Sequence, residues 1–277
     1  FALNLARNAA VEFGEGVAFF SLEMTDMELT DRLIASESGI SADKLKGKVK
    51  MNPEERVVLE QSIKRLVKAP LYIDETPGIT LTEFTAKAKR LVREKGVKII
   101  FVDYLQLMHS GKPQQGGFSK VQEVTEISNT LKTTAKDLKV PIIALAQLNR
   151  NLMSRAGSNG KPVLSDLKDS GSIEQDADMV IFIHRPGMVG MSEDLTEAEI
   201  LIAKNRSGKV GSIEMKYNGD LVRFEDVAPF YESMMNAEPK PAQPVQKQNP
   251  APAYDPTIPP PPSYNPFDEF SQNDFIQ

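Results

Sequence analysis

The run Lys98-Ile99-Ile100-Phe101-Val102-Asp103 is an unbroken apolar stretch that closes on an acid. Branched and aromatic residues of this kind favour a pleated strand. A continuous apolar pattern marks a strand buried on both faces, as in a parallel sheet covered on each side by helices. Similar runs stand at Val17–Leu22, Leu71–Asp74, Ile142–Gln147 and Met179–His184. Helical patterns separate the earlier runs. Thr25 with Glu28 and Thr80 with Glu83 spell capping boxes, and Asn52 followed by Pro53 is a further helix start. Val121, Val124, Ile127, Leu131, Ala135 and Leu138 trace one helical face, and Phe1, Leu3, Leu5, Ala9 and Phe13 approximate another. Runs at Glu199–Ala203, Ser212–Tyr217 and Leu221–Phe224 follow each other through short turns and read as antiparallel. The expectation over residues 1–232 is an α/β fold: an open, mostly parallel sheet with helices on both faces and antiparallel strands extending one edge.

Composition narrows the chemistry. The 277 residues contain no cysteine, which excludes disulfides, zinc-thiolate sites and thiol catalysis and fits a reducing cytoplasm. No stretch approaches the roughly 20 apolar residues of a membrane-spanning helix. A net charge of -5 argues against a uniformly basic coat for nucleic acid, while leaving room for a local basic loop. Residues 233–277 change character: Pro, Gln and Asn dominate, with an unbroken run Pro259–Pro262. Such a tail is expected to be disordered, with polyproline II character. Its tip, 265–277, interleaves Phe267, Phe270, Phe275 and Ile276 with acids, and reads either as solvated tail or as a docking peptide for a partner protein.

In open α/β sheets ligands bind beyond the carboxyl ends of the strands. Three apolar runs here close on a polar residue at that edge: Glu23, Asp103 and Gln147. An unpaired acid is costly inside a sheet, so three such endings point to a shared site. Asp103 fits a Walker B acid that holds Mg²⁺ through water beside nucleotide phosphates; it also fits an acid at a strand-end turn. Glu23 fits a general base for an attacking water, or a first-turn acid beside the Thr25 helix start. Gln147 fits a γ-phosphate sensor or a satisfied polar strand end. No G-x-x-x-x-G-K-[ST] loop occurs, and Ser207-Gly208-Lys209 is only an echo of one, followed by Val210. Because Phe1 opens in mid-pattern without an N-cap, that loop is expected upstream of it, and these residues alone are expected not to hydrolyse ATP. His109 and His184 have no ligand partners nearby in sequence and read as structural or exposed.

Several segments are more specific. Phe1-Ala-Leu-Asn-Leu-Ala-Arg-Asn8, Phe20-Ser-Leu-Glu-Met24, Val102-Asp-Tyr-Leu-Gln-Leu107 and Ala146-Gln-Leu-Asn-Arg150 appear in order. Ser165-Asp-Leu-Lys-Asp-Ser-Gly-Ser-Ile-Glu-Gln-Asp-Ala-Asp178 and Ala203-Lys-Asn-Arg-Ser-Gly208 follow. Together they closely resemble the carboxy-terminal RecA-like motor domain of bacterial replicative DNA helicases of the DnaB type, over about residues 1–230. The resemblance implies a homo-hexameric ring that hydrolyses ATP with Mg²⁺ between neighbouring subunits and moves along single-stranded DNA. It implies a helicase loader and primase as partners. By position, Glu23 matches the catalytic glutamate, Asp103 the Walker B acid and Gln147 the glutamine coupling nucleotide state to DNA-facing loops. Lys204 and Arg206 match the basic pair that reaches a neighbour's site, with Arg206 as arginine finger; without the family they read as a solvated turn. Lys168, Asp169 and Gly171 match the loop that contacts DNA phosphates, and equally fit an N-cap cluster before Ser172–Asp176. Two long Gly-rich loops, His109–Ser119 and Asn149–Ser165, carry Lys112, Arg150, Arg155 and Lys161 and read as mobile or functional. The competing readings are a non-catalytic DNA-binding or ring-assembly module, and another RecA-like ATPase such as a recombinase.

Overall fold

A computed structural model describes residues 1–111, 119–148 and 160–227, with the backbone alone at 168–170. The Pro-rich tail with its 265–277 tip, and Lys112, Arg150 and Arg155, lie outside the described residues. Among the described residues, eight strands and seven α-helices follow one another along the chain. The strands are β1 (Gly16–Ser21), β2 (Leu71–Asp74), β3 (Val97–Asp103), β4 (Ile142–Ala144), β5 (Met179–His184), β6 (Glu197–Asn205), β7 (Gly211–Asn218) and β8 (Arg223–Asp226). The helices are α1 (Ala2–Arg7), α2 (Asp26–Ser38), α3 (Ala42–Leu45), α4 (Pro53–Lys68), α5 (Leu81–Lys95), α6 (Lys120–Leu138) and α7 (Gly171–Asp176).

Every apolar run expected to be a strand contributes one. Their grouping differs from the single extended sheet expected. The strands form two four-stranded sheets, β2-β1-β3-β4 and β5-β6-β7-β8, the first parallel and the second antiparallel. β5 therefore leaves the parallel set to pair with β6. Its burial explains why: Val180, Phe182 and His184 are buried while Met179, Ile181 and Ile183 are exposed, a one-sided pattern hidden by an all-apolar sequence. Strand β4 is shorter than expected and ends at Ala144. Beyond it Leu145 still donates to the Val102 carbonyl at 2.9 Å, and its own carbonyl accepts the Leu105 N–H at 3.0 Å.

Both faces of the parallel sheet are covered. Ala18, Phe20, Ile100 and Val102 face Phe84 and Ala88 of α5 and Val124, Ile127 and Leu131 of α6. Val17, Phe19 and Phe101 face α1 and Leu29 of α2, with the Phe19 and Phe101 rings stacked at 5.7 Å. The residues turned most deeply inward are Ala2 and Ala6 of α1 and Ala10 of the π-helical stretch Asn8–Glu12 that continues it; of the expected Phe1–Phe13 stripe, Leu3, Leu5 and Ala9 pack half-buried beside them and Phe13 is exposed. Small side chains at i, i+4 spacing let that helix lie close on the sheet. On α6, Val121 of the expected face is likewise exposed, one turn short of where the helix meets the core.

Helix starts follow the sequence closely. Thr25–Glu28, Asn52–Glu55, Thr80–Glu83 and Ser119–Gln122 all form reciprocal capping boxes. A buried ion group fastens three helices. Glu37 of α2, its side chain wholly buried, accepts from Arg7 Nε of α1 at 2.6 Å, and Arg65 Nη2 of α4 lies 2.6 Å from its other oxygen as an ion pair. Asn4 of α1 reaches the second sheet, donating to the Val222 carbonyl at 3.1 Å and accepting from the Phe224 N–H at 3.1 Å. The buried face of that sheet, Val180 and Phe182, packs on Leu167 with Ala146 and Leu148 beside them.

Burial ranks two substitutions. Phe101→Ala is predicted to cost about 3–5 kcal/mol, since it opens a cavity between α1 and the sheet. Thr80→Ala, which removes one cap at the surface, is predicted to cost about 1 kcal/mol. Urea unfolding measures both, and equal losses would contradict the packing.

Candidate functional site

The parallel register sets the first half of the site. Phe20 pairs with Val102, Ser21 with Asp103, and Val102 with Ala144, so β1, β3 and β4 stop at one level. Polar residues emerge just past that level. Ser21 Oγ donates to the Met24 carbonyl at 2.6 Å, closing a tight turn whose exposed residue is Glu23. Asp103 ends β3, half-buried, and its peptide to Tyr104 is cis. Gln147 lies three residues beyond the end of β4. Its backbone is bracketed by the Gln106 side chain: Gln106 Nε2 donates to the Gln147 carbonyl and the Gln147 N–H donates to Gln106 Oε1, each at 3.3 Å.

Electrostatics ties these groups together. Burial pushes the Asp103 carboxyl above its ordinary range, and the negative charge of Glu23 pushes it further. Arg32 of α2 works against both. Sequence reasoning misses Arg32, which looks like any exposed helix cation; only the fold brings it toward the strand ends.

The second half sits on the other sheet. Lys204 is on β6 and Arg206 just past its end, and neither is among the charges acting on Asp103. They are held locally instead. Lys204 Nζ donates to the Glu174 carbonyl at the end of α7 at 2.6 Å. Arg206 Nη1 lies 3.0 Å from Asp178 Oδ1. The turn that carries Arg206 is tight: a side chain at Gly208 would meet Asn205 Nδ2 at 2.6 Å, and Asn205 Oδ1 accepts from the Ser207 N–H at 3.3 Å. Sequence reasoning also misses Asp178 and Lys132, which meets Asp178 Oδ2 at 2.5 Å. Asp178 lies within the Ser165–Asp178 segment, but nothing in its spacing announces Arg206 as a partner.

Lys168 and Asp169 fall in a short 3-10 segment, Leu164–Ser170, that runs directly into α7 at Gly171. Gly171 has helical angles (φ -52°, ψ -27°), and a side chain there would meet nothing within 4 Å. Neither backbone conformation nor internal packing thus demands glycine. Lys161 pairs with Glu199 at 2.7 Å. His184 is buried, which lowers its pKa, whereas His109 is exposed beside Glu123 at 3.5 Å. A shallow cleft of about 630 Å³ between α5 and α6, lined by Lys89, Arg90, Val92 and Leu138 among others, contains none of the site residues.

Comparison with known proteins gives this geometry a context. The family model described as DnaB-like helicase C terminal domain matches residues 1–226. The replicative DNA helicase DnaB of Geobacillus stearothermophilus is 41% identical over 226 residues, covering 81% of this chain and 48% of that protein. The replicative DNA helicase DnaC of Bacillus subtilis (strain 168) is 40% identical over 226 residues, with coverage of 81% and 48%. The chain thus spans about half the length of these relatives. Among solved structures, a DnaB-like replicative helicase, solved in work on its interactions with primase, superposes with a TM-score of 0.75 at 31% identity, covering 82% of this chain and 54% of its own. A separately solved ATPase domain gives the same TM-score and identity over 82% of this chain and 79% of its own. The match runs unbroken from α1 through β8, taking in both sheets and both halves of the site: the chain belongs to the DnaB-like helicase C-terminal domain family.

Proposed function

We propose that this chain is the motor segment of an ATP-driven replicative DNA helicase, a homo-hexameric ring that moves on single-stranded DNA and separates the duplex at a replication fork. The observation that supports this reading is the division of the site. Glu23, Asp103 and Gln147 gather at the carboxyl edge of the parallel sheet, while Lys204 and Arg206 stand on the antiparallel sheet, apart from the charges around Asp103. A site shared between neighbouring copies needs such a split, with the acidic half from one and the basic half from the next. Head-to-tail contacts of that kind close into rings.

Within this reading Glu23 takes the proton of the attacking water. Gln147, its backbone pinned by Gln106, presents its amide toward the terminal phosphate. Arg206 offers a planar guanidinium to charge spreading over the transferred group, with Lys204 beside it. Asp103 and Glu23 fit a divalent cation: two carboxylates whose repulsion raises Asp103 are what a hard, oxygen-seeking ion relieves. Asp103 would hold Mg²⁺ through water, and the bound ion neutralises phosphate charge. Lys168, Asp169 and Gly171 meet the DNA backbone, Lys168 by charge and Gly171 by close approach of its N–H. Asp169 orients its neighbours. The open space around Gly171 supports an outside partner there. The same reading places the protein in the cytoplasm, with a helicase loader and primase as partners and the 265–277 peptide as a further docking element. Among the described residues no helix is long and apolar enough to cross a membrane.

Single-stranded-DNA-stimulated ATP hydrolysis tests the motor. The 277-residue chain alone should stay at background, and the same chain extended upstream through a phosphate-binding loop should turn over. Glu23→Gln in the longer protein should lower kcat by about 10²–10⁴-fold. A longer protein that binds DNA yet never hydrolyses ATP would replace the motor with the binding-module reading. Lys168→Ala should weaken binding to all single strands alike and flatten the log–log salt dependence by about 0.7–1.

Asp103 supplies a pH test. Its folded pKa is raised above the ordinary value of 3.8, so as pH climbs the unfolded chain loses its proton first and folded stability falls. The loss is complete above the folded pKa and absent below the unfolded one. Asp103→Asn should therefore raise Tm at about pH 7 and change it little near pH 3. An equal gain at both would show that charge is not the cause.

A further inference from the structure

Arg206 is gripped by an acid in an unusual way. The Asp178 carbonyl accepts the Arg206 N–H at 2.9 Å, and Asp178 Oδ1 accepts from Arg206 Nη1 at 3.0 Å. The second carboxylate oxygen is already engaged, since Lys132 Nζ of α6 donates to Asp178 Oδ2 at 2.5 Å. A guanidinium carries five donors in a rigid fork and closes on a free carboxylate through two parallel hydrogen bonds. Here the contact is made at one point only, with Lys132 on the other oxygen. Asp178 holds Arg206 by one nitrogen, and Nε and Nη2 make no hydrogen bond among the described residues.

The surroundings fix the acid itself. Lys132 lowers the Asp178 pKa by its hydrogen bond, so the group is ionised at neutral pH. Ser128 Oγ of α6 donates to Asp176 Oδ2 at 2.7 Å, which pins the end of α7 just before Asp178. Lys204 Nζ, on the Glu174 carbonyl, holds the same helix end from the other side. Asp178 and Arg206 are 63% and 60% exposed, so their contact adds little to stability. What it removes is rotamer freedom from a long side chain.

We infer that Asp178 is a positioning residue for Arg206: anchored by Lys132 at its second oxygen, it holds the guanidinium at one nitrogen and leaves the rest free for a phosphate oxygen of a neighbouring copy's nucleotide. The inference rests on the trans-acting role proposed above for Arg206. It also gives Lys132 a task at a distance. From α6 it anchors the Asp178 carboxylate through Oδ2, so that Oδ1 stays aimed at Arg206.

The test uses the hydrolysis-competent longer protein, with ¹⁵N NMR of the Arg206 guanidinium in the 277-residue chain as a second readout. Asp178→Ala should lower kcat about tenfold with KM within about twofold, as expected for a contact that matters only in the transition state. Asp178→Asn, which keeps one acceptor oxygen, should recover part of the loss, and Lys132→Met should lower kcat as well. Asp178→Ala added to Arg206→Ala should cost nothing further. Rotation of the Arg206 guanidinium should quicken in Asp178→Ala. If Arg206→Ala abolishes turnover while Asp178→Ala leaves kcat intact, the positioning role is overturned and the finger role stands. If Arg206→Ala leaves turnover unchanged, the finger role falls and the inference falls with it. A lowered Tm with kcat and KM both impaired in Asp178→Ala would reduce Asp178 to a structural residue.

Discussion

The level at which β1, β3 and β4 stop is the constraint on which the rest of this molecule depends. Within the parallel sheet the pairings are apolar until the strand ends, where Phe20 meets Asp74 and Ser21 meets Asp103, because helices cover both faces and an unpaired polar group between them would be costly. Polar side chains can emerge only where the strands end. The pairing of Phe20 with Val102 and of Val102 with Ala144 makes those ends coincide. A shift of one residue in either pairing would separate Glu23 from Asp103 and turn alternate side chains to the other face. Packing and proposed chemistry are therefore set by the same hydrogen bonds.

Much of this is legible in the chain because the signals are local. Apolar runs such as Val17–Leu22 and Lys98–Asp103 form strands, and Thr25, Asn52 and Thr80 begin helices as their spacing foretells. The Ser119–Gln122 box has the same form but is easily overlooked between a glycine-rich loop and an apolar face. What stays hidden is long-range. Met179–His184 looks the same in sequence whether it joins a parallel sheet or founds an antiparallel one; its partner decides, and the partner is β6. Alanine is silent in another way. Ala2 and Ala6 of α1, with Ala10 just after it, form the deeply buried side because they are small, while the larger Phe1, Leu3 and Leu5 attract the eye.

The candidate site divides along the same line. Glu23, Asp103 and Gln147 are legible because each ends an apolar run, and Lys204 and Arg206 because a family pattern carries them. Gln106, Arg32, Lys132 and Asp178 are not. Each acts through a partner far away in the chain, and no short spacing encodes such a meeting. These are groups that orient or tune rather than react, so their chemistry is ordinary and only their placement is informative.

The buried carboxylate of Glu37 carries a consequence for how the sequence can drift. Arg7 and Arg65 lie on different helices, yet each brings its charge to one oxygen of the same side chain. Loss of Glu37 leaves Arg7 without its buried counter-charge; loss of Arg7 leaves a buried anion leaning on the more exposed Arg65. Either single step is strongly unfavourable, whereas replacing the group together with well-packed apolar residues is often neutral. Positions 7, 37 and 65 therefore behave as one inherited character, locked against gradual change and open only to joint replacement.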